Sequence, residues 1–293
     1  MNNYLEERCR IVDKALGGFL PTTKTRPATI HEAMRYSIFA GGKRLRPILC
    51  LASAEACGGN YEAALAPAAA VECIHTYSLI HDDLPCMDDD DLRRGMPTSH
   101  VKFGEGVAVL AGDALLTIAF EILAQVKATP RYDIGKFITE LAVMSGSRHL
   151  IGGQILDLEG EGNDVTLNAT QLKYIHESKT AALLTASIRL GGMTANATPA
   201  QLEALTIYGR SLGLAFQVID DILDVTQTSE KLGKSAGKDE AKAKSTYPAL
   251  FGLDKSRKEA ARLTRKALEA LKPFGRKGAR LSDLAHYLLD RDY

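Results

Sequence analysis

The sequence predicts an all-α fold, a single-domain bundle of roughly ten or more helices over residues 1–293. Three observations carry this. Ala and Leu are abundant, Trp is absent and aromatics make up only 6% of the chain, so ring-rich strands have little to build on. No run alternates β-branched with polar residues between hairpin turns. Glycine pairs at Gly41-Gly42, Gly58-Gly59, Gly152-Gly153 and Gly191-Gly192 divide the chain into segments long enough for helices. With no low-complexity tract, repeat or linker, and 45% of its residues hydrophobic, the chain is expected to fill one large core.

Residues 1–20 include Glu6, Glu7, Arg8, Arg10, Asp13 and Lys14, so no signal-peptide core is expected there. Five cysteines, Cys9, Cys50, Cys57, Cys73 and Cys86, are an odd number without a C-x-x-C pair. Free thiols and a cytoplasmic location fit that pattern. Lys plus Arg (36) balance Asp plus Glu (36), which argues against bulk electrostatic binding to nucleic acid or an anionic membrane. The apolar stretch Val107 to Val126 carries Asp113 and Glu121. It is expected to be a buried core helix, and no membrane span is predicted.

The stretch FAGGKRLRPIL, residues 39–49, places Lys43, Arg44 and Arg46 after a flexible Gly-Gly and before a helix permitted to start at Pro47. Backbone N–H groups at that helix start, with the three cations, would make a phosphate site; a basic surface loop is the plainer alternative.

SLIHDDLPCMDDDDLRRG, residues 78–95, crowds six aspartates into ten positions and follows them with Arg93 and Arg94. A second acidic stretch, LAFQVIDDILDV at 214–225, reads as an amphipathic helix. Gln217, Asp220, Asp221 and Asp224 fall on about one side of it, because steps of three and four residues return to the same face. Carboxylates so close raise one another's pKa unless a cation sits among them. A lone cluster of this kind often marks only a solvated acidic face. Two such clusters beside apolar helical sequence point to Mg²⁺, a hard cation that takes carboxylates, waters and substrate phosphates. In the first cluster Asp82 and Asp88 lie roughly 240° apart on an ideal helix, so a bulge at Leu84–Pro85 is needed to bring them together. An EF-hand starting at Asp88 would need Glu where Ser99 stands. A di-iron bundle would need two Glu-x-x-His motifs, and only Glu72 to His75 provides one.

HESKTAAL supplies Lys179 and Thr180, and KLGKSAGKDEAKAKSTYP supplies Lys234, Lys238, Lys242 and Lys244. Singly each lysine reads as solvated. Two acidic patches with cations distributed around them suit a diphosphate, and two basic groups suit two diphosphates.

DDLPCMD and DDILD, together with GGKRLRP, Lys179-Thr180, FQVIDDILD and KSTYP in that order along the chain, make the sequence resemble the trans-isoprenyl diphosphate synthases, in particular their farnesyl-producing bacterial members. The resemblance implies helices around a central cavity, a homodimer, and three Mg²⁺ ions held by Asp82, Asp88 and Asp220, with Asp83, Asp221 and Asp224 contributing directly or through water. It implies that Arg93, Lys179, Thr180, Gln217, Lys234 and Lys244 contact the allylic diphosphate. Lys43, Arg46, His75 and Arg94 would contact isopentenyl diphosphate, although a lone His on an apolar helix is more often packed core. Lys238 and Lys242 have no counterpart. The Gly- and Lys-rich loop 227–244 is a candidate lid. Tyr77 and Ser78, just ahead of Asp82, are candidate chain-length residues: a bulky ring there would stop growth at farnesyl diphosphate, with geranylgeranyl diphosphate as the alternative product. A terpene cyclase would have no use for Lys43, Arg46 and Arg94, and a non-catalytic synthase subunit typically lacks one aspartate motif.

Overall fold

A computed structural model describes residues 1–160, 168–226 and 246–289. These are overwhelmingly helical, as the composition predicts. They fall into two compact units, residues 1–139 with 190–196 and residues 140–189 with 197–293.

In the first unit, α1 (Asn2–Phe19), α2 (Ala28–Ile38), α3 (Leu45–Ala56) and α4 (Leu65–Asp82) precede α5 (Ser99–Phe103) and α6 (Glu105–Leu123). Helix α4 buries Val71, Ile74, Tyr77 and Ile80 at three-residue steps. It stops at Asp82 because Pro85 disfavours helical dihedrals at Leu84. Helix α3 starts at Leu45, two residues ahead of the expected Pro47. Pro47 is tolerated because the first N–H groups of a helix have no intrahelical partner. Helices α4 and α6 are each long and apolar enough to cross a membrane, and α4 is mostly buried within its own unit. For α6 the buried-core expectation holds on one side. Ala108, Ala111, Gly112 and Leu115 pack inward, and a Cβ at Gly112 would run into the His81 ring. The other side leaves Val109 and Leu110 exposed.

One short hairpin was not predicted. β1 (Leu92–Arg93) pairs antiparallel with β2 (Met96–Pro97) through Arg94 and Gly95, both at positive φ. Two-residue strands are too short to show a period, and the left-handed turn suits the twist of a hairpin.

The chain passes into the second unit within α7 (Ile134–Ser145); α8 (Leu150–Glu159) and α9 (Ala169–Ile175) lead into a π-helical turn, His176–Ala181, and α10 (Ala182–Thr194), whose residues from 190 on belong to the first unit. The 28-residue α11 (Pro199–Thr226) follows, its start marked by reciprocal bonds between Thr198 and Gln201 and by Pro199 in the first turn. Gly213 lets α11 approach the π turn at Ala181. Helices α12 (Tyr247–Phe251), α13 (Leu253–Ala270) and α14 (Ala279–Leu289) complete the unit, and the buried Tyr208 hydroxyl donates to the Leu281 carbonyl at 2.7 Å.

Candidate active site

After Asp82 the backbone folds back on itself. The Asp88 amide donates to the Asp82 carbonyl at 2.8 Å, and the Met87 and Asp89 amides donate to Leu84. The turn at Leu84–Pro85 therefore does what the bulge was expected to do, although it lies beyond the helix end. Asp83 takes a different course. It is 3% exposed, and Arg93 Nε donates to both its oxygens at 2.8 Å, with Arg93 Nη2 closing the fork. Burial pushes the Asp83 pKa up and the Arg93 contact opposes the push. Asp83, expected to reach metal directly or through water, holds the Arg93 guanidinium.

The basic residues of this unit converge on His75. Arg46 Nη1 lies 3.4 Å from His75 Nε2. Burial first, then the charges of Arg46, Arg94, Arg93 and Arg44, hold the His75 pKa well below its usual value, so the ring is neutral. Burial also lowers the pKa of Arg46 and of Arg94, and the buried Arg46 Nε has no partner among the described residues. A half-buried guanidinium with a spare donor, such as Arg46, is what an anion would find attractive. Arg94 Nη1 donates to the Gly41 carbonyl, which ties the hairpin to the basic loop. Arg44 does not join the expected cation trio: it is 4% exposed and bonded into the interior. Lys43 stays at the surface.

Tyr77 is buried, its ring edge-on to His81 at 5.7 Å between centroids. Burial, then the Asp82 charge, pushes its pKa up to about 12, and its hydroxyl has no partner among the described residues. Ser78 donates to the His75 carbonyl. A groove of about 1050 Å³ lined by Lys14, Phe19, Tyr61 and Val126 contains none of the expected site residues.

In the second unit Gln217 and Asp220 are half-buried on α11, while Asp221 and Asp224 are buried. Asp221 Oδ2 accepts the Tyr247 amide at 2.9 Å and lies 3.7 Å from His176 Nε2. His176 stacks on Tyr247, with centroids 5.8 Å apart. Asp221, like Asp83, is thus committed to the fold. Asp224 Oδ2 is buried without a partner among the described residues. The π turn presents Lys179 and Thr180, and Lys179 Nζ donates to Asp157 Oδ2 at 2.6 Å. Asp157 and His176 were missed from sequence: each lies among other polar residues, in LIGGQILDLE and HESKTA, and only its tertiary partners single it out. Lys234, Lys238, Lys242, Lys244 and the whole of the expected lid, 227–244, lie outside the described residues.

Among the described residues no three acidic, His or Cys donors gather at one point. Mg²⁺ does not require that, since it keeps several waters and is completed by substrate phosphates. The adjacency of Asp82 and Asp88 in the first unit, and separately the unpartnered oxygen of Asp224 in the second, each suit such a cation.

Residues 27–277 match the polyprenyl synthetase family profile. The chain belongs to the polyprenyl synthetase family. It is 51% identical over 292 residues to a chloroplastic geranylgeranyl pyrophosphate synthase of Capsicum annuum, covering 99% of this chain and 78% of that one. It is 47% identical over 291 residues to a geranylgeranyl diphosphate synthase of Cyanophora paradoxa, covering 99% and 96%. An apo FPP/GFPP synthase structure from Zymomonas mobilis superposes with TM-score 0.88 at 36% identity, covering 98% of each chain. The family member described here is therefore a transferase of the prenyl diphosphate synthase type.

Proposed function

We propose that this prenyltransferase condenses isopentenyl diphosphate with an allylic diphosphate to give geranylgeranyl diphosphate. The observation that supports a diphosphate-binding role best is the half-buried pair of Arg46 and neutral His75, with Arg46 Nε unpartnered among the described residues and the exposed Arg94 beside them. It is the isopentenyl diphosphate site of this reading, with Lys43 at its edge. Asp82 and Asp88 in one motif and Asp220 and Asp224 in the other are the carboxylates for three Mg²⁺ ions. Bound Mg²⁺ stabilises the charge that develops on the leaving diphosphate. Arg93 and Lys179, with Thr180, Gln217, Lys234 and Lys244, orient that group, and Asp83 and Asp157 hold the first two in place. The C1–O bond breaks and its electron pair leaves with the diphosphate. The isopentenyl double bond then attacks C1, and a proton is lost to the released diphosphate. Water must be excluded meanwhile, because it would capture the allylic cation.

On product length, the names of the relatives favour geranylgeranyl over the farnesyl product expected from sequence. The farnesyl reading keeps one specific observation, the buried Tyr77 ring ahead of Asp82. Purified protein with Mg²⁺ and both substrates, its product identified by chromatography, decides. Geranylgeranyl diphosphate as main product supports the first reading and farnesyl diphosphate the second. Product made without isopentenyl diphosphate would mean a cyclase, and no prenyl product at all would sink both. If Tyr77 sets the length, Tyr77→Ala lengthens the main product; an unchanged length places the stop elsewhere.

The exposed apolar side of α6 around Val109 and Leu110 supports a homodimer, and a monomer by sedimentation would remove that reading. The five free cysteines and the relatives' names support a reducing compartment, cytoplasm or plastid interior, and compartment fractionation distinguishes them.

A further inference from the structure

Arg44 sits between Lys43 and Arg46, the two cations assigned above to isopentenyl diphosphate, yet none of its charge faces outward. Nε donates to Asp13 at 2.8 Å, Nη1 to Glu72 at 2.8 Å, and Nη2 to the Ile38 carbonyl at 2.6 Å. Those partners belong to three different elements, α1, α4 and the end of α2. Burial disfavours the guanidinium charge, but Glu72 and Asp13 more than compensate, and the Arg44 pKa is raised. The backbone of Arg44 is left-handed, φ 47° and ψ 34°, at the cap of α3. A non-glycine residue stays there only when its surroundings hold it. Glu72 lies one turn ahead of His75 on α4, and His75 meets Arg46. The guanidinium therefore fixes the loop that carries Lys43 and Arg46 against the helix that carries His75.

We propose that Arg44 is a positioning residue that sets the placement of Lys43 and Arg46 for isopentenyl diphosphate, with Asp13 and Glu72 as its fixed points. This rests on the isopentenyl site proposed above. A lysine at this position keeps the charge but offers a compact ammonium in place of a planar fork that reaches three partners. Arg44→Lys is expected to raise the KM for isopentenyl diphosphate by about tenfold, to leave the KM for the allylic diphosphate within about twofold, and to change kcat little. A purely structural role would lower the melting temperature and the active fraction while leaving both KM values in place. That result, or an equal rise in both KM values, overturns the proposal.

If Arg44→Lys does not fold, Asp13→Asn weakens only the contact at the half-exposed end and is expected to show the same split at about two- to threefold. Calorimetric titration with isopentenyl diphosphate separates this claim from the functional one. Wild-type protein that binds the ligand without turning it over, beside an Arg44→Lys protein that binds it weakly, sustains the positioning role while the proposed reaction falls. Equal binding by the two proteins, or none by the wild type, ends the positioning role.

Discussion

In the first aspartate motif the chain leaves α4 at Asp82 and turns through Leu84 and Pro85 before Asp88 comes back; in the second it stays helical through Gln217, Asp220, Asp221 and Asp224. The routes differ, yet each adjacent pair of aspartates divides its labour in the same way. Asp82 and Asp220 keep a half-buried position. Asp83 and Asp221 turn inward and are consumed by the fold, Asp83 on the Arg93 guanidinium and Asp221 on the Tyr247 amide beside His176. A doubled aspartate is thus one candidate metal ligand and one anchor. The anchors differ in kind: the first holds the Arg93 guanidinium, proposed above to orient the allylic diphosphate, and the second holds the backbone where α12 begins.

The comparison is broken most forcefully at Asp82. Asp82→Asn is expected to lower kcat/KM by about 10³-fold, about 4 kcal/mol of transition-state stabilisation, with a raised Mg²⁺ requirement in steady-state assays. Asp83→Asn is expected to leave the Mg²⁺ dependence in place and to weaken allylic-substrate binding, because Arg93 loses its charged fork. If both variants shift the Mg²⁺ curve alike, the division of labour is wrong.

A smaller effect tests the second anchor. Burial lowers the His176 pKa from 6.5 to about 4. The folded state thus resists a proton that the unfolded chain accepts below about pH 6.5. The stability this contributes is complete above pH 6.5 and is lost as pH falls toward 4, by about 3 kcal/mol. Denaturant titrations across that range should show the decline, and His176→Gln should flatten it. His75 titrates in the same direction and leaves a residual slope. The same slope in wild type and His176→Gln would detach His176 from the anchor.

The smallest effect belongs to Pro85. It is exposed and shapes only the exit from α4. Pro85→Ala is expected to cost under about 1 kcal/mol, chiefly through a freer unfolded chain, with a modest loss of Mg²⁺ affinity because Asp88 is less firmly returned to Asp82. A Mg²⁺ titration of activity reads it; an effect as large as that of Asp82→Asn would mean that the proline holds the motif more tightly than its exposure implies.

Much of the helical fold was legible because its signals are local. Steps of three and four residues marked α11, a continuous apolar stretch marked α6, and Pro85 foretold a break between Asp82 and Asp88. What was not legible depends on partners distant in sequence. Arg44 looked like a third phosphate cation beside Lys43 and Arg46, and only Asp13 and Glu72, 31 and 28 residues away, draw it inside. Asp157 and His176 carried no pattern until α8, the π turn and α12 came together. The Leu92–Pro97 hairpin is too brief for any period, and the exposed side of α6 looked like core because apolar residues run all the way round it.

The order and spacing of the charged motifs and the helical class were set by sequence alone, since each depends on residue type and short-range periodicity, and the ordered motifs carry the resemblance that implies prenyl diphosphate synthase chemistry. Which member of each aspartate pair is bonded into the fold, and which arginine is a strut, was decided by tertiary structure. The reason is physical: a buried charge is tolerable only with a partner, and partners are assigned by packing between segments that the chain order keeps apart.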